Sequence, residues 1–206
     1  MIHLIGTGGH GKVVLDALLA GAVALDAIVA RDGDSGRHGQ SWLGLEIAGP
    51  DICEALAGQA VHVAIGNSAT RQRLTECALQ VGGRPETVIH PSASVSALAR
   101  IGEGSFVGAG AVVGPEAHVG RGVIVNHGAV VDHDCRVGDF AHMAPNSTLG
   151  GAVRVGARTL IGAGAVVLPG RTIGDDVTIG AGAVVTRDVA SGQTWTGVPA
   201  MLKDTE

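Results

Sequence analysis

The densest chemistry in the chain lies in five residues, Val131-Asp132-His133-Asp134-Cys135, where an imidazole sits between two carboxylates with a thiol just beyond. Three kinds of chemistry could be built there. A histidine titrating near neutrality can take a proton from an attacking group, and a neighbouring carboxylate, Asp132 or Asp134, can fix its tautomer. A thiol beside a histidine can act as a nucleophile. The same histidine, grouped with His118, His127 and His142, could also be read as a metal-ligating set. A second centre opens the chain: Gly6-Thr7-Gly8-Gly9-His10-Gly11 fits G-x-G-x-x-G, a turn whose amides and following helix N-terminus can hold a phosphate.

Which of these the chain can use depends on the elements that carry them. Stepping by six from Ile89 to Val185 meets seventeen residues, all apolar, and four residues after each comes a small or β-branched one, Arg171 excepted. A period held that long without a slip is the signature of a solenoid. With the aliphatic residue numbered one, positions five and one share the inward face of a short strand and position six points outward. Positions two to four make a corner, where the glycine at position two in ten of the seventeen hexads is expected to supply the dihedrals of a tight bend. Three strands per coil put residues eighteen apart in register and give a three-faced prism. On this phase His133 falls at an exposed corner. Cys135 falls at an inward position, as a small core residue rather than a nucleophile. No two of the four histidines lie one coil apart, which argues against a shared metal, and none is expected.

The outward rows sort by face. One reads Phe106, Ile124, His142, Leu160, Thr178, and a second reads Val112, Val130, Thr148, Val166, Val184. The third is polar: Arg100, His118, Arg136, Arg154, Thr172. Two apolar faces are expected to be buried against other copies of the chain, and a three-sided prism suggests a homotrimer. Arg136 and Arg154 are expected to be solvated.

Composition sets the outer bounds. The 206 residues include 34 glycines, more than twice the usual ~7%, yet are rich in Val, Ile and Ala, so the glycine is structural. With no Tyr, two Phe, two Trp and a net charge of −5, the chain offers neither stacking platforms nor a cationic field for nucleic acid. Three scattered cysteines suggest a reducing compartment, and no apolar stretch approaches eighteen residues, so no membrane insertion and a cytoplasmic location are expected. Residues 1–88 lack the period and alternate strands (2–5, 26–30, 61–65) with helices (12–19, 51–57, 69–81), as a small α/β Rossmann-like unit would. It is too short for two nucleotide-binding halves, so a single nucleotide diphosphate fits better than a dinucleotide. The expected organisation is 1–88 for this unit, 89–190 for the β-helix and 191–206 for a capping tail.

With these motifs in place the chain resembles the hexapeptide-repeat nucleotide-sugar N-acetyltransferases, the family of sialic acid O-acetyltransferases and bacillosamine- and perosamine-type sugar acetyltransferases. The resemblance rests on Gly8-Gly9-His10-Gly11-Lys12, Ala64-Ile65-Gly66-Asn67, His90-Pro91-Ser92-Ala93, Val131-Asp132-His133-Asp134-Cys135, Phe140-Ala141-His142 and Gly197-Val198-Pro199-Ala200. It implies a left-handed β-helix, a trimer, acetyl-CoA as donor, a nucleotide-linked amino sugar as acceptor and a place in polysaccharide biosynthesis. It also implies His133 as general base with Asp134 as its acidic partner, Asp132 competing for that role. Contacts to acetyl-CoA are implied at Gly151, Ala163 and Ala181, with Asn126 and His142 at polar family positions. Gly151 is expected to supply an oxyanion amide, since glycine permits close backbone approach. The nucleotide diphosphate is implied at Gly8, Gly9 and His10, with Asp32 or Asp34 near ribose or base and Gly66 and Asn67 at the corresponding sheet end.

Eighteen-residue stacking divides these positions. His133, Gly151 and Pro169 share one prism edge, and Asn126 and His127 share another with Pro145, Ala163 and Ala181. Acetyl-CoA is therefore expected in a groove between neighbouring subunits. The competing readings are a sugar or sialic acid O-acetyltransferase of the same fold, a non-catalytic nucleotide-sugar-binding trimer, and a zinc hydratase.

Overall fold

The computed structural model describes residues 1–203, divided into a unit Met1–Pro91 and a second from Ser92 onward. The first unit is built on short apolar strands: β1 (Ile2–Ile5), β2 (Ile28–Arg31), β5 (Ala60–Val63) and β6 (Arg84–Pro85) form a parallel sheet in the order β2-β1-β5-β6. Leu4 and Ile5 are at most 1% exposed, as expected for strands covered on both faces. Helix α1 (Gly9–Ala20) follows β1 and buries Val14, Leu15, Ala17 and Leu18, and α2 (Ser68–Gln80) follows β5. Between β2 and β5 a hairpin, β3 (Ser41–Trp42) and β4 (Leu45–Glu46), was not legible in the sequence. Its two-residue loop, Leu43 and Gly44, has positive φ at both positions (50° and 85°), a turn for which leucine is an uncommon first residue. The expected helix over 51–57 is absent; one 3-10 turn, Glu54–Leu56, stands there. Seven residues followed by Gly58, itself at φ 70°, are too few to offset helix nucleation.

The segment before that turn is tied to the outer edge of β2. Ala48 bridges in parallel to Arg31, the Ala48 amide donates to the Ala30 carbonyl (2.8 Å), and the Asp32 amide donates to the Ala48 carbonyl (3.2 Å). The buried Arg31 guanidinium secures it further, donating to His3 Nδ1 and to the Pro50 carbonyl, both at 2.8 Å.

The second unit is the expected parallel β-helix. Strands of two residues pair with those eighteen positions on, as in Val112↔Val130, His118↔Arg136 and Ile124↔His142. The inward aliphatic residues from Val107 to Val185 are all buried, and Cys135 is fully buried among them. Trp195, 7% exposed, belongs to the same core, with the Arg187 guanidinium 4.9 Å from its ring centre.

Two expectations need correction. The bend's left-handed residue is position four, not position two. Every position four from Gly104 to Gly182 has positive φ, including Glu116, Asp134, Phe140, Asn146, Ala152, Arg158 and Asp176. Position-two glycines serve close stacking instead: a Cβ at Gly102 would lie 2.5 Å from Arg121 N, and one at Gly162 2.6 Å from Ala181 N. The outward apolar faces also differ from the simple picture. Phe106 and Ile124 are each 1% exposed within one chain and need no second copy to cover them, whereas Val112 is 37% exposed and Val130, Leu160, Val166 and Val184 are half-buried.

Candidate active site

Asp134 occupies position four of its corner, at φ 60°. Aspartate tolerates this left-handed conformation better than most residues. From there the Asp134 carboxylate reaches back one residue, with Oδ2 2.7 Å from His133 Nδ1, and Asp132 Oδ1 accepts the His133 backbone N–H at 2.7 Å. The two candidate carboxylates thus have separate tasks: Asp134 holds the ring and Asp132 the backbone. The hydrogen bond from Asp134, followed by the charge of Asp132, holds the imidazole pKa above its ordinary value. With Nδ1–H directed at Asp134, the lone pair is on Nε2.

Gly151 lies on the same edge one coil along; its neighbour's amide, Ala152 N, donates to the His133 carbonyl at 2.8 Å. A Cβ at 151 would stand 2.5 Å from both Cε1 and Nε2 of His133. The imidazole edge therefore rests over the bare Cα of Gly151, which puts the basic nitrogen beside that residue's backbone. Cys135, the thiol beside this corner, is turned inward, directed to the Gly150 carbonyl (3.2 Å) and with its pKa pushed up by burial.

On the second edge, Asn126 and His142 meet: Asn126 Nδ2 lies 3.2 Å from His142 Nε2, while Asn126 Oδ1 accepts the His127 amide at 2.9 Å. Ala163 and Ala181 lie along that edge, exposed, linked by the Gly182 amide donating to the Ala163 carbonyl (2.8 Å). Within one chain the structure thus brings together His133, Asp134 and Gly151 in one group, and Asn126 with His142 in another. The two edges are not joined. Among the described residues no group of three or more His, Cys, Asp or Glu is placed to hold a metal ion.

In the first unit a cleft of about 340 Å³ is lined by the glycine turn, Asp32, Gly33, Arg37, Asp51 and Ala64 to Gly66. The motif glycines have distinct tasks. Gly6 takes φ 105°, a Cβ at Gly11 would lie 2.2 Å from the Gly6 carbonyl oxygen, and Gly8 and Gly9 face open space where a ligand's phosphate can approach. Asp32 lines the cleft, but its oxygens are engaged. Oδ2 accepts the Thr7 amide (3.2 Å), the Thr7 hydroxyl and Arg37 Nη1 (3.0 Å), and Oδ1 accepts the Asp34 amide (3.1 Å). These bonds hold its carboxyl below the usual range despite partial burial, which acts the other way. Arg37 also donates to the Thr7 carbonyl (3.3 Å), bracing the turn. Asn67 is not in the cleft lining: it caps α2, its side chain accepting the Thr70 amide at 2.9 Å. Gly66 is positioned by the buried Arg71, which donates to the Ile65 and Gly66 carbonyls at 2.8 and 2.9 Å. Arg37, Asp51 and Arg71 had no signature in the sequence, because the local contacts they make, to Asp32, to the Ile52 amide and to the Ile65 and Gly66 carbonyls, belong to no motif.

A coiled prism of hexapeptides bearing a carboxylate-held imidazole, preceded by an α/β unit with a phosphate-type turn, is the architecture of hexapeptide-repeat transferases. Residues 98–133 and 152–187 match the bacterial transferase hexapeptide (six repeats) family, and residues 1–77 match the PglD N-terminal domain. Among solved structures, a variant of perosamine N-acetyltransferase from Caulobacter crescentus in complex with CoA and GDP-perosamine is 40% identical. It superposes with a TM-score of 0.93, over 99% of this chain and 97% of that one. The acetyltransferase domain of PglB from Neisseria gonorrhoeae, in complex with acetyl coenzyme A, is 38% identical, with a TM-score of 0.89 over 98% of each chain. GDP-perosamine N-acetyltransferase of Escherichia coli O157:H7 is 38% identical over 109 residues, 53% of this chain and 49% of that protein. The chain spans about half the length of the curated relatives it matches. It belongs to the family of hexapeptide-repeat nucleotide-sugar N-acetyltransferases.

Proposed function

We propose that the protein transfers an acetyl group from acetyl-CoA to the amine of a nucleotide-linked amino-deoxy sugar, with His133 as general base. The observation that carries this reading is the arrangement at the corner: Nδ1 held 2.7 Å from Asp134, Nε2 exposed over Gly151. An amine attacking a thioester must lose a proton as the tetrahedral adduct forms, and Nε2 is the group able to take it. The proton then passes to the departing CoA thiolate, so the histidine returns neutral. Asp134 fixes the tautomer and stabilises the imidazolium between those steps. The amides of Gly150 and Ala152 are bonded to the Val167 and His133 carbonyls, which leaves the Gly151 amide itself as the donor proposed for the developing oxyanion. CoA supplies the activated thioester, and Ala163 and Ala181 offer it a side-chain-poor edge. The glycine turn takes the nucleotide diphosphate.

The ligands of the relatives support this assignment: one holds CoA and GDP-perosamine, another acetyl coenzyme A. A homotrimer follows from the same reading, because the His133 edge and the Ala163 edge are separate in one chain and a CoA groove between subunits would join them. O-acetyl transfer is the alternative for the same corner. Thiol release measured with amino and hydroxy forms of one nucleotide sugar separates the two. Turnover confined to the amino form is expected, and His133→Ala is expected to lower it at least a hundredfold, within the range for loss of a general base. Turnover of the variant within tenfold of wild type would remove His133 from the role.

A further inference from the structure

We propose that Asp51 is the carboxylate that reads the base of the bound nucleotide, and that it selects guanine, whose edge presents two adjacent N–H donors, over uracil and hypoxanthine. This rests on the nucleotide-binding reading of the cleft. A diphosphate held at the turn after β1 and a ribose passing the end of β2 direct the base toward whatever lies beyond β2. The sheet places 48–51 there, bridged to Arg31 and fixed by the Arg31 bond to the Pro50 carbonyl. Two strand spacings of ~4.8 Å put this segment about 10 Å from the line of β1, close to the span from a diphosphate to its base.

Of the two carboxylates expected near ribose or base, Asp34 is not in the cleft lining and Asp32 is already engaged. Thr7, Arg37 and Asp34 already occupy its oxygens. Asp51 differs. One oxygen, Oδ1, accepts the Ile52 amide at 2.9 Å, and Oδ2 has no partner among the described residues while its side chain lines the cleft. Gly33, opposite, gives the carboxylate its place: a Cβ there would lie 2.8 Å from Oδ2. A glycine following Asp32 has no other evident need, since its φ is not in the left-handed region.

With Oδ2 open and a second lone pair left on Oδ1 beside the Ile52 bond, the Asp51 carboxylate matches guanine N1–H and N2–H as a paired acceptor. Uracil offers one N–H flanked by two carbonyl oxygens, which a carboxylate repels. Hypoxanthine keeps N1–H and lacks the amine. Loss of one charge-assisted hydrogen bond corresponds to roughly ten- to hundredfold in affinity.

The test is isothermal calorimetry on the full chain with GDP, IDP and UDP. Wild type is expected to bind GDP at least tenfold more tightly than IDP or UDP. Asp51→Asn should bring GDP to the level of IDP and leave UDP within about twofold. Gly33→Ala, which displaces the carboxylate without removing it, should reproduce that pattern. UDP bound as tightly as GDP would overturn the proposal, as would an Asp51→Asn variant that weakens all three nucleotides alike, the pattern of a ribose contact. Binding of none of the three overturns the nucleotide reading itself, and the selectivity with it.

Discussion

Gly151→Ala isolates the geometry of the base from the stability of the solenoid. The added Cβ would stand 2.5 Å from Cε1 and Nε2 of His133, against an ordinary carbon contact of about 3.5 Å, so one group must retreat by roughly 1 Å. The backbone at 151 is stacked between coils, whereas the His133 side chain is 55% exposed, so the ring is the part that yields. Swinging into solvent, it loses the Asp134 bond that holds Nδ1. A displacement of this size at a reacting group costs about a hundredfold in rate, or about 2.7 kcal/mol of barrier. The core is untouched, so the unfolding free energy should change by no more than about 0.5 kcal/mol. The assays are thiol release under saturating acetyl-CoA, NMR titration of the His133 ring, and urea denaturation. A large fall in kcat, a His133 pKa moved down toward its ordinary value and unchanged denaturation are expected together. Wild-type kcat with an unshifted titration would show that the ring does not depend on the bare Cα. A large stability loss would show that the backbone yields instead.

Three further outcomes follow from the same geometry. Asp134→Asn removes the largest cause of the raised His133 pKa, so the acid limb of kcat/KM should move to lower pH while the plateau falls at least tenfold; a pH profile of unchanged limb position would contradict the pairing. His62 is buried beside the Glu86 carbonyl, its pKa lowered by burial to about 4 against 6.5 in the unfolded chain. As pH falls below 6.5 the unfolded state takes the proton first, so stability, complete above that pH, should be lost down to about 4, by an amount on the order of 3 kcal/mol. Urea titrations at about pH 7 and about pH 4.5 should show this slope in wild type and a flatter one in His62→Gln. Finally, inactive His133→Ala and Ala163→Trp variants should regain part of the wild-type activity when co-refolded if the CoA groove joins two subunits. No recovery in mixed oligomers would place both edges' functions within one chain.

The solenoid was legible because its physics is one-dimensional: each coil packs only on its neighbours, so a six-residue phase determines which residue is inward, outward or at a corner. That phase alone buries Cys135 and exposes His133. It failed where the reason for a glycine lay between coils. Position two needs glycine because the next coil's backbone lies within 3 Å of where a Cβ would be, as at Gly102 and Gly162, and no local dihedral rule contains that information. The α/β unit was less legible still, because its cleft depends on contacts across loops. Arg37 binding Asp32, Arg31 binding Pro50 and Gly33 facing Asp51 each join residues whose spacing follows no motif.

The displaced left-handed position is also what makes the His133 corner intelligible. Fourth positions through the solenoid from Gly104 to Gly182 take positive φ whatever their residue, because the coil closes there, so the conformation of Asp134 is imposed by the prism and not by its own preference. From that position the Asp134 carboxylate reaches residue three at no further backbone cost, whereas Asp176 at the same position turns to Arg158 one coil back. Placing His at three and Asp at four therefore yields a held imidazole from the ordinary bend of the fold. Other corners show what is specific here. Asn126 replaces the stacking glycine at position two of its corner and Asp132 does so in the His133 corner; both turn an oxygen to the following backbone amide, of His127 and His133 respectively. A polar residue at position two in the middle coils thus fixes the corner beside it, where an apolar replacement such as Ala144 has no oxygen to do so. His90, Ser96 and Thr186 also depart from the glycine pattern, at the two ends of the repeat, but between Gly102 and Gly180 the two polar departures, Asn126 and Asp132, fall one on each edge of the candidate site.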